Sequence, residues 1–205
     1  MLEKINTPGF ETLSRADPKV CDHVAGLLAD GNPRPVVAEI GLGIGATTEE
    51  LARIMANRGE LHLYDFEEKV AEIIGDLEGL GYRNAVGFGN TRRHWDSYNW
   101  SLMKQVQSHD TPIYDYIYLD GAHTFLHDGL AFVLCDRLLK PGGCINFDDY
   151  FWSIAGSKWM ADTRDAFLTD EQINAQQVKL VIDTLVRPDP RYEEIVAHEV
   201  FRKRA

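Results

Sequence analysis

Short apolar runs alternate along the chain with longer segments whose apolar residues recur at helical spacing. The runs predict buried strands over residues 36–40, 61–65, 85–88, 114–119 and 144–147. The helical spacing predicts helices near residues 17–30, from Thr47 onward, and over residues 67–79, 95–108 and 124–140. Strands and helices that alternate in this way predict an α/β fold, with a mostly parallel sheet and helices on both faces.

Capping and turn residues indicate where several of these helices begin and end. Asp17 is expected to cap the first helix, with Pro18 at its first position. Thr47 and Glu50 have the spacing of a capping box for the second helix. The run Pro141-Gly142-Gly143 is expected to end the fifth helix sharply.

The two ends of the chain differ from this alternating middle. Residues 1–16 are polar without a clear period, which predicts an N-terminal arm or lid ahead of one domain over residues 17–205. Near the other end, a helix is predicted across residues 158–171, followed by two longer strands, Val178–Val186 and Tyr192–Phe201. We expect these two strands to form a terminal antiparallel hairpin.

Three alternate glycines, Gly41, Gly43 and Gly45, follow the first predicted strand. Such a loop lets the backbone approach a nucleotide closely, and Asp65, at the end of the next strand, is placed to accept ribose hydroxyls. With Ala46 as the last small residue, the loop also satisfies the dinucleotide fingerprint. A nicotinamide-dependent oxidoreductase therefore stays open as an alternative.

Glu39, two residues before the first glycine, favours a different cofactor. A carboxylate here would repel a pyrophosphate, whereas it would attract a ligand with a sulfonium and an ammonium group. The spacing acid-x-Gly-x-Gly-x-Gly resembles motif I of the class I methyltransferases, which use S-adenosylmethionine. The resemblance covers roughly residues 17–203 and implies a Rossmann-like, seven-stranded sheet ending in an antiparallel hairpin. It also implies that Asn90 and Trp95 wall an adenine pocket and that Asp120 contributes to cofactor binding, although Trp95 could instead pack beneath a loop.

Asp120, Asp148 and Asp149 follow the fourth and fifth predicted strands. Because the carboxyl ends of parallel strands meet at one edge of a sheet, these carboxylates should converge in an all-oxygen site that suits Mg²⁺. Together with His123, in the segments LDGAH and FDDY, they resemble the metal-dependent O-methyltransferases of natural-product pathways, including the macrocin O-methyltransferase group. That resemblance implies that the three aspartates hold Mg²⁺ and that His123 is the catalytic base.

Other roles for these residues stay open. The aspartates could be solvated loop carboxylates in a non-catalytic, nucleoside-binding relative of the fold. His123 and His127, four residues apart, raise the possibility of a zinc site, but the His-Glu-x-x-His order is absent. Phe151, Trp152 and Trp159 could border an acceptor pocket or pack in the core.

Composition narrows the function classes. The 205 residues suit a single domain, and 32 acidic against 21 basic residues give a net charge of −11, which argues against a nucleic-acid substrate. Three cysteines without paired spacing suit a reducing cytoplasm, and neither a leader nor a membrane-spanning segment is expected. We therefore expect a cytoplasmic methyltransferase that transfers a methyl group to a hydroxyl of a small sugar-bearing or phenolic metabolite, with Mg²⁺ assistance and a possible homodimer formed through the arm.

Overall fold

Seven strands form one sheet in this computed structural model, which describes residues 1–158 and 160–205. The strands are β1 (Val36–Ile40), β2 (Glu60–Phe66), β3 (Ala85–Asn90), β4 (Tyr114–Leu119), β5 (Leu139–Phe147), β6 (Tyr192–Val196) and β7 (Val200–Lys203). Their order across the sheet is β3-β2-β1-β4-β5-β7-β6. Strands β1 to β5 pair in parallel, whereas β7 runs antiparallel to β5 and to β6. The predicted parallel sheet with a terminal hairpin is confirmed.

Helices cover both faces of this sheet. They are α1 (Pro18–Ala29), α2 (Ala46–Met55), α3 (Glu67–Gly79), α4 (Tyr98–Ser108), α5 (Phe125–Leu138), α6 (Asp170–Asn174) and α7 (Gln177–Val181). Alternate residues of the strands enter two apolar clusters, because successive side chains of a strand point to opposite faces. Helices α1, α2 and α3 pack on one cluster, and α4, α5 and α7 pack on the other. No helix among residues 1–158 and 160–205 is long and apolar enough to cross a membrane.

Most predicted elements lie where the sequence places them, and one helix start is confirmed in detail. The side chain of Asp17 accepts hydrogen bonds from the backbone N–H groups of Lys19 and Val20, and Pro18 is the first residue of α1. Helix α3 spans 67–79, as predicted. The start of α1 fixes the last part of the N-terminal arm against the domain.

The predicted cap of α2 is wrong. Helix α2 begins one residue before Thr47, with Gly45 in the capping position at a φ of 91°. The hydroxyl of Thr47 instead accepts a hydrogen bond from the backbone N–H of Asp17 at 3.1 Å, and Glu50 pairs with Arg53. Thr47 thus links α2 to the segment that follows the arm and does not cap its own helix.

Two further predictions near the C-terminus are wrong. Val178–Val186 is not a strand: it forms α7 and a π-helical turn over Ile182–Val186, and the hairpin consists of β6 and β7. Counted from Val178, the other buried residues of this segment lie three, four and eight positions later, which is the spacing of a helix face. This face packs on α5. Instead of the helix predicted across 158–171, the described residues of this range form a short 3₁₀ turn over Arg164–Ala166 and the first two residues of α6.

The Pro141-Gly142-Gly143 run also has a different role from the predicted one. Helix α5 ends earlier, at Leu138, and the run lies within β5. The register between β4 and β5 shifts there, between Tyr114 and Tyr116. Because proline lacks a backbone N–H and glycine adopts positive φ, this run interrupts strand pairing rather than ending a helix.

Candidate active site

A cleft of about 310 Å³ opens at the carboxyl edge of the sheet, between the N-terminal arm and the strand ends. The end of the arm (Thr12, Leu13, Arg15 and Ala16) and the start of α1 (Asp17 and Pro18) form one wall, and the loop between β1 and α2 forms another. Glu39, Asp120 and Asp148 contribute carboxyl groups to its lining. In open α/β sheets, ligands bind outside the carboxyl ends of the strands, so this cleft is the candidate site.

The glycine loop packs tightly on one side and is open on the other. At Gly41, where φ is 89°, an added Cβ would lie 1.8 Å from the carbonyl oxygen of Asp120. At Gly43, an added Cβ would meet nothing within 4 Å. The loop therefore contacts the end of β4 through Gly41 and leaves free space beside Gly43.

Glu39 is a buried acid without a partner. Its side chain is 1% exposed, and its Oε2 atom has no hydrogen-bond partner within the described part of the chain. Burial raises the pKa of this carboxyl from 4.5 to about 8; the neighbouring Thr48 hydroxyl opposes the rise, and the nearby charge of Asp65 adds to it. Because burial disfavours the charged form of this carboxyl, a cationic ligand beside it would favour its ionisation and pair with it.

Asp65 lies at the end of β2, directly beside the glycine loop. Its carboxylate accepts hydrogen bonds from the backbone N–H groups of Leu42 at 2.9 Å and Phe66 at 2.7 Å, and Lys69 pairs with it at 3.2 Å. These contacts hold the carboxylate of Asp65 against the glycine loop, which also lines the cleft. Asp65 itself lies near the carboxyl end of β2 and is not one of the residues that line the cleft.

The residues predicted to wall an adenine pocket occupy different environments. Asn90 is buried beside Phe66 in the β2–β3 register, and its side-chain amide donates to the carbonyl of Thr91 at 3.2 Å. Trp95 is 88% exposed, so it forms no wall in this arrangement. The guanidinium of Arg92 stacks 4.0 Å from the centre of the Phe66 ring.

His123 lies between two of the predicted metal ligands. Its Nε2 atom is 3.4 Å from an Asp120 oxygen and 3.6 Å from an Asp149 oxygen. Its Nδ1 atom is buried without a hydrogen-bond partner among the described residues. The backbone of His123 has a φ of 52° and that of Asp149 a φ of 60°, which costs roughly 1–2 kcal/mol for a residue other than glycine. Strained residues of this kind cluster at functional sites.

Burial and neighbouring carboxylates raise the pKa values of two of these aspartates, Asp120 and Asp149. Burial raises the pKa of Asp120 well above its ordinary value, and the charges of Asp148 and Asp149 raise it further. The pKa of Asp149 is also raised by burial, against the opposing influence of His123. The three side chains thus concentrate negative charge that a cation would relieve, and their oxygen donors are of the type that Mg²⁺ prefers.

The three aspartates do not close tightly around one point. Among residues 1–158 and 160–205, the only three acidic, histidine or cysteine side chains with ligand atoms within 4.8 Å of one another are Glu3, Glu72 and Asp76. That cluster already contacts the Met1 amino group. The predicted zinc alternative is likewise not assembled in the described residues, and the Nδ1 atom of His127 lies 2.8 Å from the Thr124 hydroxyl.

A buried pair beneath the candidate base supports its loop, and sequence analysis missed it. Tyr98 donates a hydrogen bond to the carboxylate of Asp128 at 2.5 Å and accepts one from the backbone N–H of Ala122 at 3.2 Å. An added Cβ on Gly121 would lie 2.6 Å from the Tyr98 oxygen. The pair therefore fixes the loop that carries His123. A sequence signal existed, since Asp128 lies four residues before Phe132 and seven before Cys135, on the helix face that these residues bury.

Aromatic residues lie next to the candidate base. The ring of Trp152 is 5.3 Å from that of His123, at an interplanar angle of 61°. Phe151 is exposed. Trp159, the third residue predicted to border an acceptor pocket, lies outside the described residues. Trp152 is thus the member of the predicted set that reaches the candidate centre.

Comparison with known proteins agrees with the fold. No protein-family model matches the chain, and no curated protein matches it in sequence. Among solved structures, it is similar to an O-methyltransferase from Bacillus cereus in complex with S-adenosylhomocysteine, with a TM-score of 0.61 and 16% identity over 94% of this chain and 80% of that one. It is also similar to an S-adenosylhomocysteine-bound methyltransferase from Podospora anserina, with a TM-score of 0.61 and 15% identity over 99% of this chain and 85% of that one.

A third solved structure with a similar fold comes from Streptomyces achromogenes. The O-methyltransferase TomG from Streptomyces achromogenes, involved in tomaymycin synthesis and solved with S-adenosylmethionine, has a TM-score of 0.56 and 13% identity over 96% of this chain and 94% of that one. The strand order and the terminal hairpin agree with these likenesses. The chain therefore has the Rossmann-like fold of the class I methyltransferases.

Proposed function

We propose that this protein is an S-adenosylmethionine-dependent O-methyltransferase that acts on a hydroxyl of a small metabolite, either sugar-bearing or phenolic. The observation that carries the proposal is Glu39, a buried, unpaired acid that lines the cleft beside the glycine loop. A pyrophosphate at this position would add negative charge beside a buried acid that offers it no positive partner, which disfavours a nicotinamide cofactor. A cofactor with an ammonium and a sulfonium group supplies the missing positive charge.

The residues of the chain divide into two groups under this proposal. Glu39, Asp65, Asn90, Asp120 and the three loop glycines would hold the cofactor, which when bound supplies an electrophilic methyl group on a positively charged sulfur. The glycine loop leaves room for it beside Gly43. Close positioning of the acceptor oxygen and the methyl group then accounts for much of the acceleration.

His123 is the proposed base. A hydroxyl is a poor nucleophile until it loses its proton, and a histidine ordinarily titrates near neutral pH. The Nε2 atom of His123 lies 3.4 Å from an Asp120 oxygen and 3.6 Å from an Asp149 oxygen, so the proposed base is next to the proposed metal ligands. Tyr98 and Asp128 hold the loop from beneath.

Mg²⁺ assistance is part of the proposal. Asp120, Asp148 and Asp149 would hold the ion, and their oxygen donors, with the raised pKa values of Asp120 and Asp149, support this assignment. When bound, Mg²⁺ lowers the pKa of an acceptor hydroxyl. Binding would require these carboxylates to draw closer than they lie now.

The test combines cofactor binding with methyl transfer. The protein is titrated with S-adenosylhomocysteine, and methyl-labelled S-adenosylmethionine is then supplied with catechols and hydroxylated sugars in the presence of Mg²⁺. We expect binding, and transfer that falls at least 100-fold in His123→Ala and Asp148→Asn. The exposed Arg137, at the far end of α5, provides the control variant Arg137→Ala, which should retain full activity. Absence of binding would overturn the proposal, and full transfer by both site variants would overturn the assigned roles.

A further inference from the structure

The last part of the N-terminal arm is held in a defined path across the cleft. The Ser14 hydroxyl donates to the carbonyl of Phe10 at 2.7 Å and accepts from the N–H of Asn6 at 2.8 Å. Three residues later, the N–H of Asp17 donates to the Thr47 hydroxyl at 3.1 Å. The segment between these two anchor points therefore has a fixed backbone, and Arg15, which lines the cleft, lies within it.

The charges around the cleft are strongly unequal. Four carboxylate side chains line it, those of Asp17, Glu39, Asp120 and Asp148, and Arg15 is the one cationic side chain among its lining residues in the described part of the chain. Asp17 uses its carboxylate to cap α1. Arg15 makes no hydrogen bond or ion pair with any residue in the ranges 1–158 and 160–205, so its guanidinium is free to contact a ligand.

We propose that Arg15 binds the α-carboxylate of the methionyl end of the cofactor. The inference rests on the proposed function, since it assigns one residue to one group of S-adenosylmethionine. That cofactor is not simply a cation: it carries a carboxylate beside its ammonium group, and this carboxylate needs a partner in a cleft that is otherwise acidic. A guanidinium presents two parallel N–H donors that match the two oxygens of a carboxylate, which makes arginine the best available partner.

A second candidate for the same carboxylate lies nearby. The N-terminus of α2, at Ala46 and Thr47, also lines the cleft and offers backbone N–H groups. Both partners could hold an anion, but only the guanidinium is removed by mutation of Arg15. The experiment can therefore separate them.

The test is a titration of two ligands into two variants and their control. The ligands are S-adenosylhomocysteine and its decarboxylated analogue, an adenosyl thioether that ends in a propylamine and has no carboxylate. The variants are Arg15→Ala and Arg15→Lys, with Arg137→Ala as the exposed control. A melting curve for each protein verifies that it is folded, as expected for substitutions at exposed positions.

We expect Arg15→Ala to weaken S-adenosylhomocysteine binding about 10- to 100-fold, the range of a charge-assisted pair, and to leave the binding of the decarboxylated analogue unchanged. Arg15→Lys should fall between Arg15→Ala and the unmutated protein. Equal weakening for both ligands would overturn the inference, because Arg15 would then affect binding whether or not the ligand has a carboxylate. Unchanged binding of S-adenosylhomocysteine would overturn it in favour of the α2 N-terminus. If the unmutated protein bound neither ligand, the proposed function itself would fail.

Discussion

Replacing Glu39 with glutamine should make the protein more stable and its cofactor binding weaker. Glutamine has almost the same shape as glutamic acid but does not ionise, so it removes the buried acid without opening a cavity. Glu39 is 1% exposed and has no partner for one of its oxygens among the described residues. The effect of Glu39 on the free energy of unfolding therefore comes from the ionisation of its carboxyl and not from the packing of its side chain.

The size and sign of the effect follow from the raised pKa. In the unfolded chain the carboxyl ionises near 4.5, whereas burial keeps it protonated in the folded protein up to about pH 8. Below pH 4.5 the group is protonated in both states and affects stability little. Between pH 4.5 and 8 the unfolded state loses its proton first, so the free energy of unfolding falls as the pH rises. From pH 5 to pH 7.5 this loss amounts to about 3 kcal/mol for one group.

The assay is urea unfolding of the unmutated protein and of Glu39→Gln at both pH values. We expect similar stability near pH 5 and a gain of about 3 kcal/mol for the variant at pH 7.5. Calorimetry should show the opposite effect on function, with S-adenosylmethionine bound about 10- to 100-fold more weakly by the variant. A variant with the same pH dependence as the unmutated protein, or with undiminished binding, would refute the reasoning.

Three further outcomes can be measured directly. Gly41→Ala should lower the free energy of unfolding by more than about 3 kcal/mol, because the added Cβ would collide with the Asp120 carbonyl. Gly43→Ala should lower it by only about 1–2 kcal/mol, the cost of its positive φ, and equal losses in urea unfolding would contradict the close contact at Gly41. Tyr98→Phe should cost about 1–3 kcal/mol and lower kcat without raising KM for S-adenosylmethionine, and an unchanged kcat would make the pair purely structural. Chelation with EDTA should lower kcat and added Mg²⁺ restore it, while activity indifferent to both would remove the metal from the account.

The sequence predicts the parallel part of the fold well because its signals are local and agree with one another. The strand β1 is apolar except for Glu39 and is followed by glycines, and the spacing of apolar residues in α3 predicts both the length of that helix and its buried face. Val178–Val186 shows the limit of this approach. Its β-branched residues favour a strand, but packing against α5 selects a helix, and that contact is not visible in the segment itself.

The candidate site likewise contains some residues that the sequence predicts and others that it does not. The acids at the strand ends could be predicted, because topology alone brings the ends of parallel strands to one edge. Tyr98 and Asp128, which are 30 positions apart, meet only through the packing of α4 on α5. Arg15 gave no signal either, since its importance depends on where the arm crosses the cleft. Residues supplied by distant segments therefore require the structure.

The most direct test of the account is a calorimetric titration of the purified protein with S-adenosylhomocysteine and, separately, with NADH. We expect saturable binding of S-adenosylhomocysteine at one site per chain, weakened by Glu39→Gln, and no binding of NADH. Binding of NADH with none of S-adenosylhomocysteine would contradict it, since a pyrophosphate would then occupy the site beside the buried acid.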